Sequence, residues 1–304
     1  MATTLAVSQA PSSPPTRLTA GATTDGKYGP LADSGMGNPF FYHQFQDDFD
    51  LLLGPTGAYA LNGTGTATHT AGDGGLALIT TGVAANAFES IQLPAANFTT
   101  PGQSTVSPYP ATSVKKLFYL VRFALGDITN SVLIAGLCQN GAVFSGAATA
   151  VTDGIYFSKA YGSTQLTLIA VASAGNSPTG SGVTYTLNIP TSSYNLANAA
   201  YIDLAFYIDR MQSINVFVGN PLLVGFAPQS GTGPVSTTSG VTLSPARGPA
   251  ASFSQLVFNS QWTTSAPPYY WTLASLNPTL GINDAAAAAA KTLTVDFHCV
   301  QKER

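Results

Sequence analysis

Beyond residue 40 the chain alternates hydrophobic and polar residues with a period of two. Over 117–125 one face carries Leu117, Tyr119, Val121, Phe123 and Leu125, and Arg122 lies on the other. Over 201–209 the apolar set is Ile202, Leu204, Phe206 and Ile208, against Asp203, Tyr207 and Asp209. Over 292–298 it is Leu293, Val295 and Phe297, against Thr292, Thr294, Asp296 and His298. Such alternation belongs to strands that bury one face and solvate the other. Further strands are predicted at 75–80, 88–93, 132–138, 154–158, 165–172, 183–189, 214–218, 222–226 and 255–259. Gly219-Asn220 provides a tight turn between two of them. Helical periodicity is confined to Ala285–Ala290, which Asn283-Asp284 would cap. One or two helical turns are expected there, with close packing on a sheet as the alternative. So many strands between Gly, Pro and Asn loops predict an all-β protein, a two-sheet antiparallel β-sandwich of jelly-roll type.

The pattern is missing from residues 1–39, which are rich in Pro, Gly, Ser and Thr and poor in large apolar side chains. A segment of this kind cannot bury enough surface to fold by itself. It reads as an extended N-terminal arm, with Tyr28, Leu31 and Met36 as anchors for a neighbouring subunit; a disordered tail is the alternative. Residues 40–304 form one domain, because no second hydrophobic core flanks the long loop predicted at 227–251.

Charge changes the picture most. Asp, Glu, Lys and Arg make up 8% of the chain, against about 25% in an average globular domain. Net charge is −3, and Lys115-Lys116 is the one adjacent basic pair, so no stripe suited to phosphates exists and nucleic acid is not an expected partner. No apolar run reaches 18 residues and no secretory leader is seen, so neither a membrane span nor export is expected. Asn62-Gly63-Thr64 and Asn97-Phe98-Thr99 are then chance matches to glycosylation sequons. A surface of small neutral polar groups is cheap to desolvate and suits wide contact with other subunits. Cys138 and Cys299 keep phase with apolar neighbours and are expected to point inward as buried thiols, not as a disulfide.

Candidate chemistry is sparse. The two glutamates, Glu89 and Glu303, do not supply the carboxylate pair that sandwich glycosidases use, since Glu303 sits in the C-terminal tail. Asp47, Asp48 and Asp50 are a candidate calcium cluster, with a solvated strand start as the alternative. His43, His69 and His298 lack metal-type spacing, and His298 is expected to face outward beside Asp296. No catalytic residue, cofactor or metal is expected. Tyr269 and Tyr270, which precede Trp271 after two prolines, are candidates for contact with a sugar or a protein; packing of Trp271 in the core with Tyr269 at a sheet edge is the alternative.

Four segments together carry a resemblance: Phe45-Gln46-Asp47-Asp48-Phe49, Asp153-Gly154-Ile155-Tyr156-Phe157-Ser158-Lys159, Pro278-Thr279-Leu280-Gly281-Ile282, and Thr292-Leu293-Thr294-Val295-Asp296-Phe297. Over about 45–301 the chain resembles the concanavalin-A-like jelly-roll sandwiches of tailed-bacteriophage structural proteins. The resemblance implies that the last strand returns beside the first, pairing Asp296-Phe297 with the Asp48-Phe49 region. It further implies a virion protein, a capsid decoration or cement subunit that sits as a homotrimer on the major capsid protein. The alternative is a tail-associated module that binds a receptor or glycan. The calcium and manganese ligands of the lectin branch do not map onto this chain.

Overall fold

Alternating apolar residues build two antiparallel sheets that close over one core, as the pattern predicts. The computed structural model describes residues 42–47, 49, 59–70, 75–99, 116–177, 182–191, 194–208, 213–219, 235–238, 241–243, 255–261, 272, 274–285 and 289–303. The first sheet contains β1 (Tyr42–Asp47), β3 (Thr66–Thr70), β4 (Leu76–Thr80), β7 (Leu117–Leu125), β14 (Tyr201–Ile208), β15 (Ser213–Gly219), β18 (Gln255–Gln261) and β20 (Thr292–Glu303). Its order is β18-β15-β14-β7-β20-β4-β3, with β1 also beside β20. The second contains β2 (Ala60–Gly63), β5 (Phe88–Gln92), β6 (Phe98–Thr99), β8 (Val132–Cys138), β11 (Gly154–Lys159), β12 (Leu166–Ala172), β13 (Val183–Asn188) and β19 (Ser275–Asn283). Its order is β13-β12-β11-β8-β19-β5-β2, with β6 also on β19. Two short hairpins, β9 (Phe144–Ser145) with β10 (Ala148–Thr149) and β16 (Val235–Thr238) with β17 (Val241–Leu243), stand apart.

The core lies between the sheets. Tyr119, Phe123, Phe206, Val216 and Val295 of the first sheet meet Ile91, Leu137, Phe157, Leu168 and Leu280 of the second. Tyr119 stacks on Phe206 at 5.1 Å between ring centroids, and Phe157 packs against both. Each sheet also buries apolar residues on its outward face. On the second sheet Ile134, Cys138 and Tyr156 lie with Val143 and Phe144 of the 139–150 excursion. On the first, Phe118, Ala205, Tyr207, Phe217 and Cys299 form a separate cluster.

The predicted strands are present wherever they fall on described residues; 222–226 lies outside them, as does Asn220, and β15 pairs β18. At 285–290 the described residues show no helix: Ala285 is a turn residue at φ 51°, its N–H donating to Asn283 Oδ1. β19 was not predicted because Pro278 interrupts its pattern, and proline is usually excluded from central strands. Here its carbonyl accepts Leu93 N–H at 3.1 Å, just where β5 ends and before β6 begins. A strand residue directs its N–H and C=O to the same side, so the missing donor falls in that gap between partners.

The first and last strands pair, as the resemblance implies, and the described ladder ends at Asp47 and His298, immediately before the expected pairs. Asp47 stands opposite His298 and Tyr42 opposite Glu303. β20 bulges between Val295 and Phe297. Before the bulge β20 pairs β4, and after it β1 takes the same side. One extra residue reverses the face of all that follow. His298 therefore points into the core and is fully buried, contrary to the outward position expected, while Phe297 and Cys299 face out. Both cysteines are free and buried, but in the two outward-face clusters and not in the inter-sheet core.

Candidate functional site

The anchors Tyr28, Leu31 and Met36, the pair Tyr269 and Tyr270, and Asp48 and Asp50 lie outside the described residues. Asp47 is engaged locally: Oδ1 accepts Phe49 N–H and Oδ2 accepts the Tyr59 hydroxyl, both at 2.7 Å. His43 stacks on Phe98 and His69 is exposed on β3. Among the described residues no three His, Cys, Asp or Glu side chains are placed to hold a metal ion.

Several ionisable groups hold the fold together. Asp153, 3% exposed, accepts from Thr272 Oγ1 at 2.5 Å and Ser173 N–H at 3.1 Å on one oxygen. Its other oxygen accepts from Asn176 Nδ2 at 3.0 Å and Thr152 Oγ1 at 3.3 Å. Burial alone would raise its carboxyl, but hydrogen bonds from Thr272, Asn176 and Ser173 outweigh it and hold it below the ordinary range. Asp127 is similar. Burial is outweighed by Lys291, whose Nζ lies 2.6 Å away, and by Asn130, so the carboxyl is held low. Lys159 is fully buried, donating from Nζ to the carbonyls of Ser131 and Ala160. Burial lowers it to about 8, against the opposing pull of Asp127. Glu89 is raised by burial while backbone N–H groups of Ser90, Gly65 and Asn62 oppose the rise; at 2% exposure it is out of a ligand's reach. These oxygens are already used by the protein.

A different arrangement occupies the outward face of the first sheet. Arg122 on β7 stands directly opposite Asp203 on β14, and on its other side the β20 bulge brings Asp296 alongside. Arg122 Nε lies 3.0 Å from Asp296 Oδ2 and 3.8 Å from Asp203 Oδ1. Its guanidinium carbon sits 5.3 Å from the centre of the Tyr201 ring, a cation–π distance. The Arg122 and Asp296 side chains keep 36% and 27% of their surface exposed, and that of Asp203 keeps 13%. Burial raises the Asp203 carboxyl to about 6; Arg122 opposes the rise and Asp296 adds to it. Two carboxylates thus share one guanidinium, leaving a net charge of −1 when all three are ionised. The cluster offers donors, acceptors and an aromatic ring within one outward patch. Sequence reading placed each of Arg122, Asp203 and Asp296 on an outward face but could not bring them together. Nothing short of the strand order reveals that β7, β14 and β20 are neighbours.

Neither a protein-family model nor a curated protein matches the chain. Among solved structures it is similar to a protein of unknown function from Shewanella oneidensis MR-1, at 12% identity over 86% of this chain and 87% of that one, with a TM-score of 0.48. It is also similar to lectin II from Ulex europaeus, at 12% identity, 86% and 99% coverage and a TM-score of 0.45. A third is the CBM2 module of the evolved Dit of Lactobacillus casei BL23 phage J-1, at 10% identity, 86% and 96% coverage and a TM-score of 0.43. Likeness at this distance concerns the sandwich alone.

Proposed function

We propose that this chain is a virion-associated, non-catalytic binding module of a phage tail, which takes a neutral, hydroxyl-rich glycan on the outward face of its first sheet. The observation that carries this reading is the placement of Asp203. Asp127 and Asp153 stabilise the fold as carboxylates, whereas ionised Asp203 works against it. Among the described residues its setting differs from that of Glu89 in lying beside two partly exposed charged side chains and an aromatic ring. A charge kept at a cost to stability, in reach of a ligand, is a signature of a functional position. Vicinal sugar hydroxyls donate to the carboxylates and accept from the guanidinium, and the apolar face of a pyranose suits Tyr201. The net negative charge of the cluster disfavours phosphorylated or carboxylated glycans.

Binding of neutral cell-wall polysaccharides from the host, measured by calorimetry at pH 7.5, tests the reading. Arg122→Ala and Asp296→Ala are each expected to weaken binding at least tenfold, about 1.4 kcal/mol. Undiminished binding by both variants, or preference for anionic polymers, would count against it.

A second reading, a homotrimeric decoration subunit on the major capsid protein, is favoured by the 8% charge content, which leaves large areas cheap to bury. In that case residues 1–39 attach the chain through Tyr28, Leu31 and Met36, and Tyr269 and Tyr270 add contact. Mass-spectrometric copy number in purified particles separates the readings: hundreds of copies mean decoration, and a few to a few tens mean a tail part.

A further inference from the structure

β1 is attached to the first sheet along one side, pairing β20 from Tyr42 opposite Glu303 to Asp47 opposite His298. The bulge before it turns His298 inward, at 0% exposure, and among the described residues neither ring nitrogen has a hydrogen-bond partner. Phe45 of β1 meets the imidazole edge-on at 5.6 Å between centroids, and Tyr119 of β7 does so at 5.3 Å. The Tyr119 hydroxyl is likewise without a partner among the described residues.

None of the other titratable groups around this point bonds the imidazole in the closed form. Asp47 stands opposite on β1, but its two oxygens are turned to Phe49 N–H and the Tyr59 hydroxyl, and His43 lies farther along on Phe98. From β7 comes Tyr119; Phe157 of β11 and Phe206 of β14 pack on it and carry no charge. On β20 itself Cys299 faces the other way, and Lys302, which donates to Thr99, adds a positive charge farther along the inward face. A neutral imidazole tolerates this setting. An imidazolium in the closed arrangement would be a buried charge whose two donors have no bonded acceptor.

We propose that His298 is an acid-sensitive latch on β1: protonation requires Phe45 to lift away, and it holds open the joint between the sandwich and the N-terminal residues that β1 carries. Phe49, two residues beyond β1, is 1% exposed in the inter-sheet core and its N–H donates to Asp47, so that end of the strand stays anchored while Phe45 lifts. Burial lowers His298 from 6.5 to about 3, so the closed form stays neutral throughout the mildly acidic range. If opening returns the imidazole to 6.5, the open population rises about 30-fold between neutral pH and pH 5.

Hydrogen–deuterium exchange of the full chain at pH 7.5 and 5, corrected for intrinsic rates, reads this directly. Peptides covering 42–47 are expected to lose protection about 30-fold at pH 5, while those covering 154–159 in the second sheet hold theirs. In His298→Phe the acid effect on 42–47 should vanish. Should that variant fail to fold, NMR of histidine-labelled wild-type protein decides: the His298 signal must remain neutral in the closed form and protonate together with the loss of β1 protection. Protection of 42–47 that is unchanged at pH 5 overturns the latch. So does a His298 that titrates near 6.5 while β1 stays protected.

Discussion

Replacing Asp203 with asparagine removes a carboxylate but keeps its shape, and the structure predicts that the protein becomes more stable at neutral pH. The carboxyl titrates at about 6 in the folded protein against 3.8 ordinarily. Between those values the folded state holds a proton that the unfolded chain has released, so this group favours folding in acid and its contribution is lost as pH rises through 6. The full difference, about 2.2 pH units, corresponds to about 3 kcal/mol at pH 7.5. Partial exposure and the weak 3.8 Å contact with Arg122 reduce the net gain, so Asp203→Asn is expected to add about 1–2 kcal/mol at pH 7.5. Other groups titrate in the same window, and His298 acts with the opposite sign, its neutral form favouring the fold above 6.5. The informative quantity is therefore the difference between wild type and variant, by urea unfolding at pH 4.5, 5.5 and 7.5. It should move toward the variant by at most about 2 kcal/mol from pH 4.5 to 7.5. A pH-independent difference, or a variant less stable than wild type at pH 7.5, would refute the reasoning about Asp203. Glycan affinity measured on the same variant then separates a functional carboxylate from one that is merely tolerated.

Asp153→Ala should cost about 3–4 kcal/mol, because it strips four donors of a charged acceptor. In a double-mutant cycle with Thr272→Val, additive losses would show that the two side chains are not coupled. Gly65→Ala should lower stability by about 2–3 kcal/mol in denaturant titration, since the new Cβ would lie 1.9 Å from the carbonyl oxygen of Thr80; a neutral result would mean that the β2–β3 crossing is slack. Tyr119→Phe should raise stability by about 1 kcal/mol, because it deletes a buried hydroxyl with no partner among the described residues. A loss of stability in that variant would show that the hydroxyl is satisfied.

Much of this protein is determined by local alternation along the chain. A period of two specifies a strand and the face that it buries, because successive side chains leave a pleated backbone on opposite sides. That rule assigned Leu117 to Leu125 and Ile202 to Ile208 to the core and put Arg122 and Asp203 outside, as the sandwich has them. Composition likewise set the scarcity of charge without reference to any fold. What alternation cannot express is a break in its own period. The single extra residue at Asp296 exchanges the faces of Phe297 and His298, and whether a strand bulges depends on the partners that it must reach, here β4 before the bulge and β1 after it. Pro278 hid a central strand for the same kind of reason: its missing donor is harmless only because β5 ends where the ladder would have called for it. The candidate site is decided wholly by tertiary structure. Arg122, Asp203 and Asp296 are far apart in sequence, and it is strand order and register that bring two carboxylates to one guanidinium, while the burial of Asp203 between its neighbours raises its carboxyl.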